Sequence, residues 1–354
     1  MEVSTDMSCL IPFLQDLQVE RAEALNLAVS PENTPGRALD VKGDSETARA
    51  AQALQEVVQG GVATDHAEVV SHKEDVFRRI RLQFGRSQEQ YNASLSEGPL
   101  RLVGEEEAAG KSSAFFVFSE DGRYCVKRVD PKEAQMLLRI VDDYEAYIHQ
   151  CKGTLLPRFY GLYEVRLHTG KPTWLMVQGN VLGGRARVIQ RFDLKGSTHG
   201  RRASAKERAK GRSCVLKDLD FVEASCHIQG QSAEASAEWA TWVQAMESDS
   251  QFLASHSLID YSLLLGFSTC SAESRKKPLS HIKRLEVAAA SLGNLPIQLA
   301  EDECLLMYAG IIDCLMPYNW FKRLENLLLD AVLSADISCQ PPKKCPGRLP
   351  WFVE

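Results

Sequence analysis

Three side chains stand where phosphate chemistry could use them. Lys127 sits inside the apolar run Tyr124-Cys125-Val126-Lys127-Arg128-Val129. Asp313 closes the run Tyr308-Ala309-Gly310-Ile311-Ile312, and Asp260 interrupts Ile259-Asp260-Tyr261-Ser262-Leu263-Leu264-Leu265. Phosphoryl transfer from ATP asks for a lysine and a backbone cradle on the phosphates. It also asks for carboxylates that hold Mg²⁺ and orient the attacking hydroxyl. A cation centred in a strand suits phosphate contact, and a carboxylate ending a buried strand suits a hard metal ion. Blander readings fit the same patterns: an exposed strand lysine, and two acids that cap turns. Alone, these residues are compatible with an ATP–Mg²⁺ site without requiring one.

Two other stretches bear on phosphate. Gly110-Lys111-Ser112-Ser113-Ala114 invites a P-loop reading with Gly104 upstream. Five residues separate Gly104 from Gly110, where the motif needs four. Three of them are Glu105, Glu106 and Glu107, which repel phosphate, so a P-loop is rejected. A small-residue turn over the nucleotide, using Gly110 and Ser112, stays open. Residues 185–212 carry ten Lys/Arg against Asp193 and Glu207, which points to an anionic partner. Phe192 is the one Phe, Tyr or Trp among these bases, so aromatics are not interleaved with them as a nucleic-acid surface would want. A phosphoinositide surface fits better, at ~1 kcal/mol per basic residue near an anionic leaflet. A solvated charged loop would read the same.

The elements that must position these residues follow from periodicity and punctuation. Val76–Phe84 is an amphipathic helix stopped by Gly85. Ala114–Ser119 and Tyr124–Val129 flank Glu120-Asp121-Gly122-Arg123 as a hairpin. Pro131 opens a helix running to about residue 150. Arg158–Arg166, Thr173–Val181 and Val188–Phe192 read as strands, followed by a helix over about 233–256. Ile259–Phe267 and Cys304–Ile312 read as strands, 270–300 as a loose insertion and Trp320–Leu333 as an amphipathic helix. Most of 185–212 reads as loop.

Of the net charge of −6, residues 1–70 supply 12 acids against 4 bases. They are expected to form a flexible acidic leader with one helix near 44–58. The ten cysteines show no CxxC pair or Cys/His metal spacing, and no apolar run is long enough to span a bilayer. A cytoplasmic chain that meets membranes from outside the bilayer is expected.

The chain resembles the phosphatidylinositol phosphate kinases. Asp193-Leu194-Lys195-Gly196-Ser197-Thr198 followed by Arg201-Arg202-Ala203-Ser204 is similar to that family's DLKGST…R-x-A-S signature. Thr154–Tyr163, Leu216-Lys217-Asp218-Leu219-Asp220-Phe221, Ile259–Leu264 and Gly310-Ile311-Ile312-Asp313 resemble further family blocks, in the family's order. The resemblance covers about residues 70–354. It implies an α+β fold of two lobes built from antiparallel sheets with helices, distantly protein-kinase-like. The N-lobe would span about 71–182 and the C-lobe about 183–354.

The resemblance also implies roles. Lys127 matches the ATP-phosphate lysine, Asp260 the catalytic aspartate and Asp313 the Mg²⁺ aspartate. Lys195 would lie near the phosphates, Asn180 at the nucleotide hinge, and Glu133 would pair with Lys127. Arg201 and Arg202 would help bind substrate. Lys322-Arg323-Leu324-Glu325 resembles the substrate-selecting segment of the family's 5-kinases. Those basic residues and Glu325 would then favour phosphatidylinositol 4-phosphate, with phosphatidylinositol 4,5-bisphosphate as product. ATP, Mg²⁺, phosphoinositides, an anionic membrane surface and a homodimer are the implied partners, and nucleic acid is not one. A protein kinase is disfavoured because no HRD or DFG triplet occurs. The rival is a non-catalytic phosphoinositide-binding scaffold: the turn Gly110–Ala114 departs from the family's G-x-S-G-S.

Overall fold

The computed structural model describes residues 37–38, 46–60, 67–103, 115–151, 153–168, 170–182, 188–223, 233–269, 294–300 and 303–318. The first strands are β1 (Arg37–Ala38), β2 (Ala67–His72), β3 (Arg101–Val103), β4 (Phe116–Phe118), β5 (Tyr124–Val129), β6 (Phe159–Leu167) and β7 (Thr173–Gly179). They form one antiparallel sheet in the order β1-β3-β4-β5-β7-β6-β2. Later come β8 (Val188–Leu194), β9 (Val215–Lys217), β10 (Leu258–Ile259), β11 (Ser262–Thr269), β12 (Asn294–Ala300), β13 (Glu303–Ile312) and β14 (Met316–Pro317). Five of these make a second sheet, β12-β13-β11-β8-β9, while β10 pairs β14 separately. One sheet thus precedes residue 180 and the other follows 187, which is the expected two-lobed α+β arrangement. The pair β8–β9 is parallel, an exception to the antiparallel expectation.

The helices are α1 (Glu46–Val58), α2 (Glu74–Gln83), α3 (Gln88–Ser96), α4 (Pro131–Gln150), α5 (Ala205–Arg208), α6 (Asp218–Glu223) and α7 (Ala233–Ser255). Helix α4 starts where its sequence says it should. Asp130 accepts from the Lys132 and Glu133 amides, Pro131 fills the first turn, and Glu133 closes the capping box. Its buried face, including Leu137, Ile140, Val141 and Tyr144, reaches both lobes. Tyr144 packs edge-on to Phe159 on one side and Phe252 of α7 on the other.

Three expectations need correction. The helix near 44–58 is present, but it is packed: Ala48, Ala50, Ala51 and Leu54 are buried, and small side chains let α1 lie close on β2 and β6. The run Ile259–Phe267 is two strands, because the backbone turns at Asp260. The supposed loose insertion 270–300 contains β12, an edge strand on β13. The expected helix Trp320–Leu333 lies outside the described residues. Among the described residues no helix is long and apolar enough to cross a membrane.

Candidate functional site

Strand order brings the chemistry together. β13, β11 and β8 are neighbours; Ser262 pairs with Ile312, and Leu263 pairs with Leu194. Lys195 therefore leaves β8, and Asp313 leaves β13, at the edge where Asp260 leads into β11. Both aspartates take left-handed backbone conformations, with φ of 61° at Asp260 and 55° at Asp313. Such values are uncommon outside glycine, and they gather where a backbone is bent for function. Here they fall at the same level on adjacent strands, between the β11–β13 and β10–β14 ladders.

Two ion pairs occupy this edge. Lys195 Nζ donates to Asp260 Oδ1 at 2.6 Å and to the Asp260 carbonyl at 2.9 Å. Lys127 Nζ reaches across from the first sheet and donates to Asp313 Oδ1 at 2.6 Å. Lys127 is nearly buried, with its ammonium 5.8 Å from the Phe116 ring centroid. Burial alone would pull its pKa down. The charge and hydrogen bond of Asp313, with smaller attraction from Glu133 and Cys125, together outweigh burial, and the net shift is upward.

The linker between the two sheets packs against the second of them. Asn180 Nδ2 donates to the Gly122 carbonyl at 2.9 Å, and its Oδ1 accepts from the Leu182 amide at 3.1 Å. Asn180 thereby ties the linker to the β4–β5 hairpin. Val181 and Leu182 then lie directly on β13 and β11. A Cβ on Gly310 would stand 2.9 Å from Val181 Cγ2, and one on Gly266 2.5 Å from Leu182 Cδ2. The two glycines leave room for this close approach.

Lys127, Asp313, Lys195 and Asp260 thus form two ion pairs at one edge of the second sheet, and the Asn180 linker packs on the same strands, while other expected residues are not among them. Glu133 was expected to pair with Lys127. Its carboxylate instead accepts the Asp130 amide at 3.0 Å, and it touches the lysine only through longer-range attraction. Arg201 is buried rather than open to substrate. Its Nε donates to Asp218 Oδ2 at 2.5 Å and a terminal nitrogen to Asp193 Oδ1 at 2.8 Å. Arg202 is exposed but held two-pronged by Glu223. Among the described residues Arg208 likewise pairs with Asp220 and Lys210 with Glu207, so much of the basic run is met by acids, most of them on α6. Gly110, Ser112, Lys322, Arg323 and Glu325 lie outside the described residues. Asp218, in the block Leu216–Phe221, is a further residue of this edge that the sequence patterns do not single out.

The donor chemistry suits magnesium. Mg²⁺ usually takes one or two carboxylates, keeps water and relies on substrate phosphates for the rest. Asp313 is an exposed carboxylate beside a phosphate-suited lysine. Among the described residues no three His, Cys, Asp or Glu side chains converge as a closed metal cage.

Comparisons with known proteins bear on what such a site does. The family model described as Phosphatidylinositol-4-phosphate 5-Kinase matches residues 100–354. Phosphatidylinositol 4-phosphate 5-kinase type-1 beta of Gallus gallus is 33% identical over 309 residues, covering 78% of this chain and 56% of the relative. The type-1 alpha protein of Rattus norvegicus is 31% identical, covering 71% of this chain and 50% of the relative. Phosphatidylinositol 4-phosphate 5-kinase its3 of Schizosaccharomyces pombe is 31% identical, covering 79% and 44%. The chain spans about half the length of the curated relatives it matches.

Proposed function

Since the chain belongs to the phosphatidylinositol-4-phosphate 5-kinase family, we propose that it transfers the γ-phosphate of ATP to the inositol ring of a phosphatidylinositol phosphate. The substrate is phosphatidylinositol 4-phosphate and the product phosphatidylinositol 4,5-bisphosphate. The observation that carries this reading is the pair of lysine–aspartate bridges at one edge, one from each lobe and one within the second sheet.

The residues divide the work. Lys127 binds ATP phosphate oxygens, and Asp313 would hold magnesium beside them. Magnesium, when bound, neutralises charge on those oxygens. Asp260 orients the inositol hydroxyl. The hydroxyl oxygen bonds to the γ-phosphorus as its bond to the β–γ bridging oxygen breaks. ADP leaves, and the hydroxyl proton passes to Asp260. Lys195 steadies Asp260 and faces the developing charge. Positioning and charge neutralisation supply most of the acceleration in such transfers. Lys322, Arg323 and Glu325 are the proposed lipid-facing segment on the cytosolic face of an anionic membrane.

The test is product identification. The intact chain is incubated with labelled ATP, Mg²⁺ and vesicles bearing each monophosphorylated phosphoinositide in turn. The expected product is phosphatidylinositol 4,5-bisphosphate from the 4-phosphate lipid. Vesicle binding without labelled lipid from any substrate would overturn the kinase reading and favour a scaffold.

A further inference from the structure

The carboxylate of Asp218 is almost wholly enclosed, and it accepts hydrogen bonds from the segment carrying Lys195. Its Oδ1 accepts the Lys195 amide at 2.8 Å and the Gly196 amide at 2.9 Å. Its Oδ2 accepts Arg201 Nε at 2.5 Å. We propose that Asp218 is a positioning residue for phosphoryl transfer: it clamps the Lys195–Gly196 turn and so aims the Lys195 ammonium at Asp260. The proposal deepens the kinase reading of the site and rests on it.

Three observations carry it. The first is donor geometry. A single carboxylate oxygen that accepts two consecutive amides forces both N–H vectors to one point, which sets the turn. Gly196 has φ 65°, so the turn is bent where a side chain would resist it. The second is bracing. Arg201 links Asp218 to the Asp193 side chain, which fixes the end of β8 to the start of α6. Burial disfavours the Arg201 charge, but Asp193 and Asp218 outweigh it and hold the guanidinium protonated. The third is reach. Lys195 spans from the clamped backbone to both the carbonyl and the carboxylate of Asp260. A lysine has many rotamers, so fixing its Cα is what makes one of them count. Asp220 extends the clamp by accepting the Ala203 amide at 2.8 Å, so α6 grips the loop at two levels.

Asp218→Asn keeps one acceptor for the amides but turns an NH₂ group toward Arg201. The experiment reads Lys195 directly, apart from catalysis. The intact chain is treated with a limiting amine-acylating reagent, and labelling rates at Lys195 and Lys127 are read by peptide mass spectrometry. Loss of a charge-assisted hydrogen bond should speed Lys195 labelling about tenfold while Lys127 is unchanged. Turnover on lipid should fall roughly 10–100-fold, as expected for a misplaced group. KM for MgATP should stay within about twofold, since ground-state binding is untouched. An unchanged Lys195 labelling rate overturns the proposal, and so does equal acceleration at Lys127. If Asp218→Asn fails to fold, Arg201→Lys decides, because a lysine cannot bridge both aspartates as the guanidinium fork does. Lys195 deprotection there supports the clamp, and retained protection refutes it. A parent chain that moves no phosphate to any lipid sinks the kinase reading alone, since labelling still tests the clamp.

Discussion

The two lysine–aspartate bridges have the same 2.6 Å separation and opposite surroundings. Lys195–Asp260 lies within one sheet, with side chains 18% and 20% exposed, and its lysine makes a second bond to the Asp260 carbonyl. Lys127–Asp313 joins two sheets by one hydrogen bond, and its aspartate side chain is 56% exposed. Water competes for Asp313 far more than for Asp260, so the cross-lobe bridge is the easier one to open. On the proposed kinase reading, the outer pair would exchange partners with phosphate and metal, while the inner pair holds still.

That contrast can be pressed. The largest effect is expected from the inner pair: Asp260→Asn should lower labelled-phosphate transfer by roughly 10²–10⁴-fold, the usual reach of a lost general base. MgATP affinity, read by calorimetry, should barely move. If affinity falls instead, Asp260 belongs to the nucleotide side. Next, Lys127→Met should raise KM for ATP about tenfold or more, as a lost charge-assisted contact would. An unchanged KM would separate Lys127 from the phosphates. A smaller effect is expected at Arg202, whose charge is already met by Glu223. Arg202→Gln should change sedimentation with phosphoinositide vesicles by less than about twofold, since exposed pairs are weak and locally satisfied. A large loss would restore Arg202 as a lipid contact.

The smallest effect concerns the joint that sets the lobes against each other. Asp249 of α7 accepts from Tyr147 of α4 at 2.7 Å and from the Leu155 amide at 2.5 Å. Burial pushes its carboxyl up to about 6, against hydrogen bonds that pull the other way. The folded chain then keeps this proton after the unfolded chain has released it. The group's contribution therefore favours folding at acid pH and is lost as pH rises toward about 6. Asp249→Asn should flatten that component of Tm against pH. An identical pH slope in the variant would show that Asp249 does not titrate there.

Much of this was legible in the sequence, for physical reasons. Helix α4 announces itself through Asp130, Pro131 and Glu133, all local signals. The site residues Lys127, Asp260 and Asp313 stand out as charges set in apolar runs. What could not be read is partnership at a distance. Arg201 and Arg202 look like an anion site along the chain, yet Asp218 and Glu223, which pair with them, lie on α6, past α5 and β9. The positive φ at Asp260 is invisible in a run that alternates like an unbroken strand. β12 escapes because Pro296 and polar flanks suggest loop, whereas an edge strand tolerates proline. Glu133 misleads because one carboxylate satisfied its own cap and was unavailable to Lys127.

Nucleotide binding with and without Mg²⁺ tests the division between the two bridges most directly. Calorimetry on the intact chain, Asp313→Asn and Asp260→Asn should show Mg²⁺ tightening ATP binding in the parent and in Asp260→Asn, and failing to do so in Asp313→Asn. Magnesium dependence that survives in Asp313→Asn, or vanishes in Asp260→Asn, would contradict the assignment of the outer bridge to the nucleotide and the inner one to the hydroxyl.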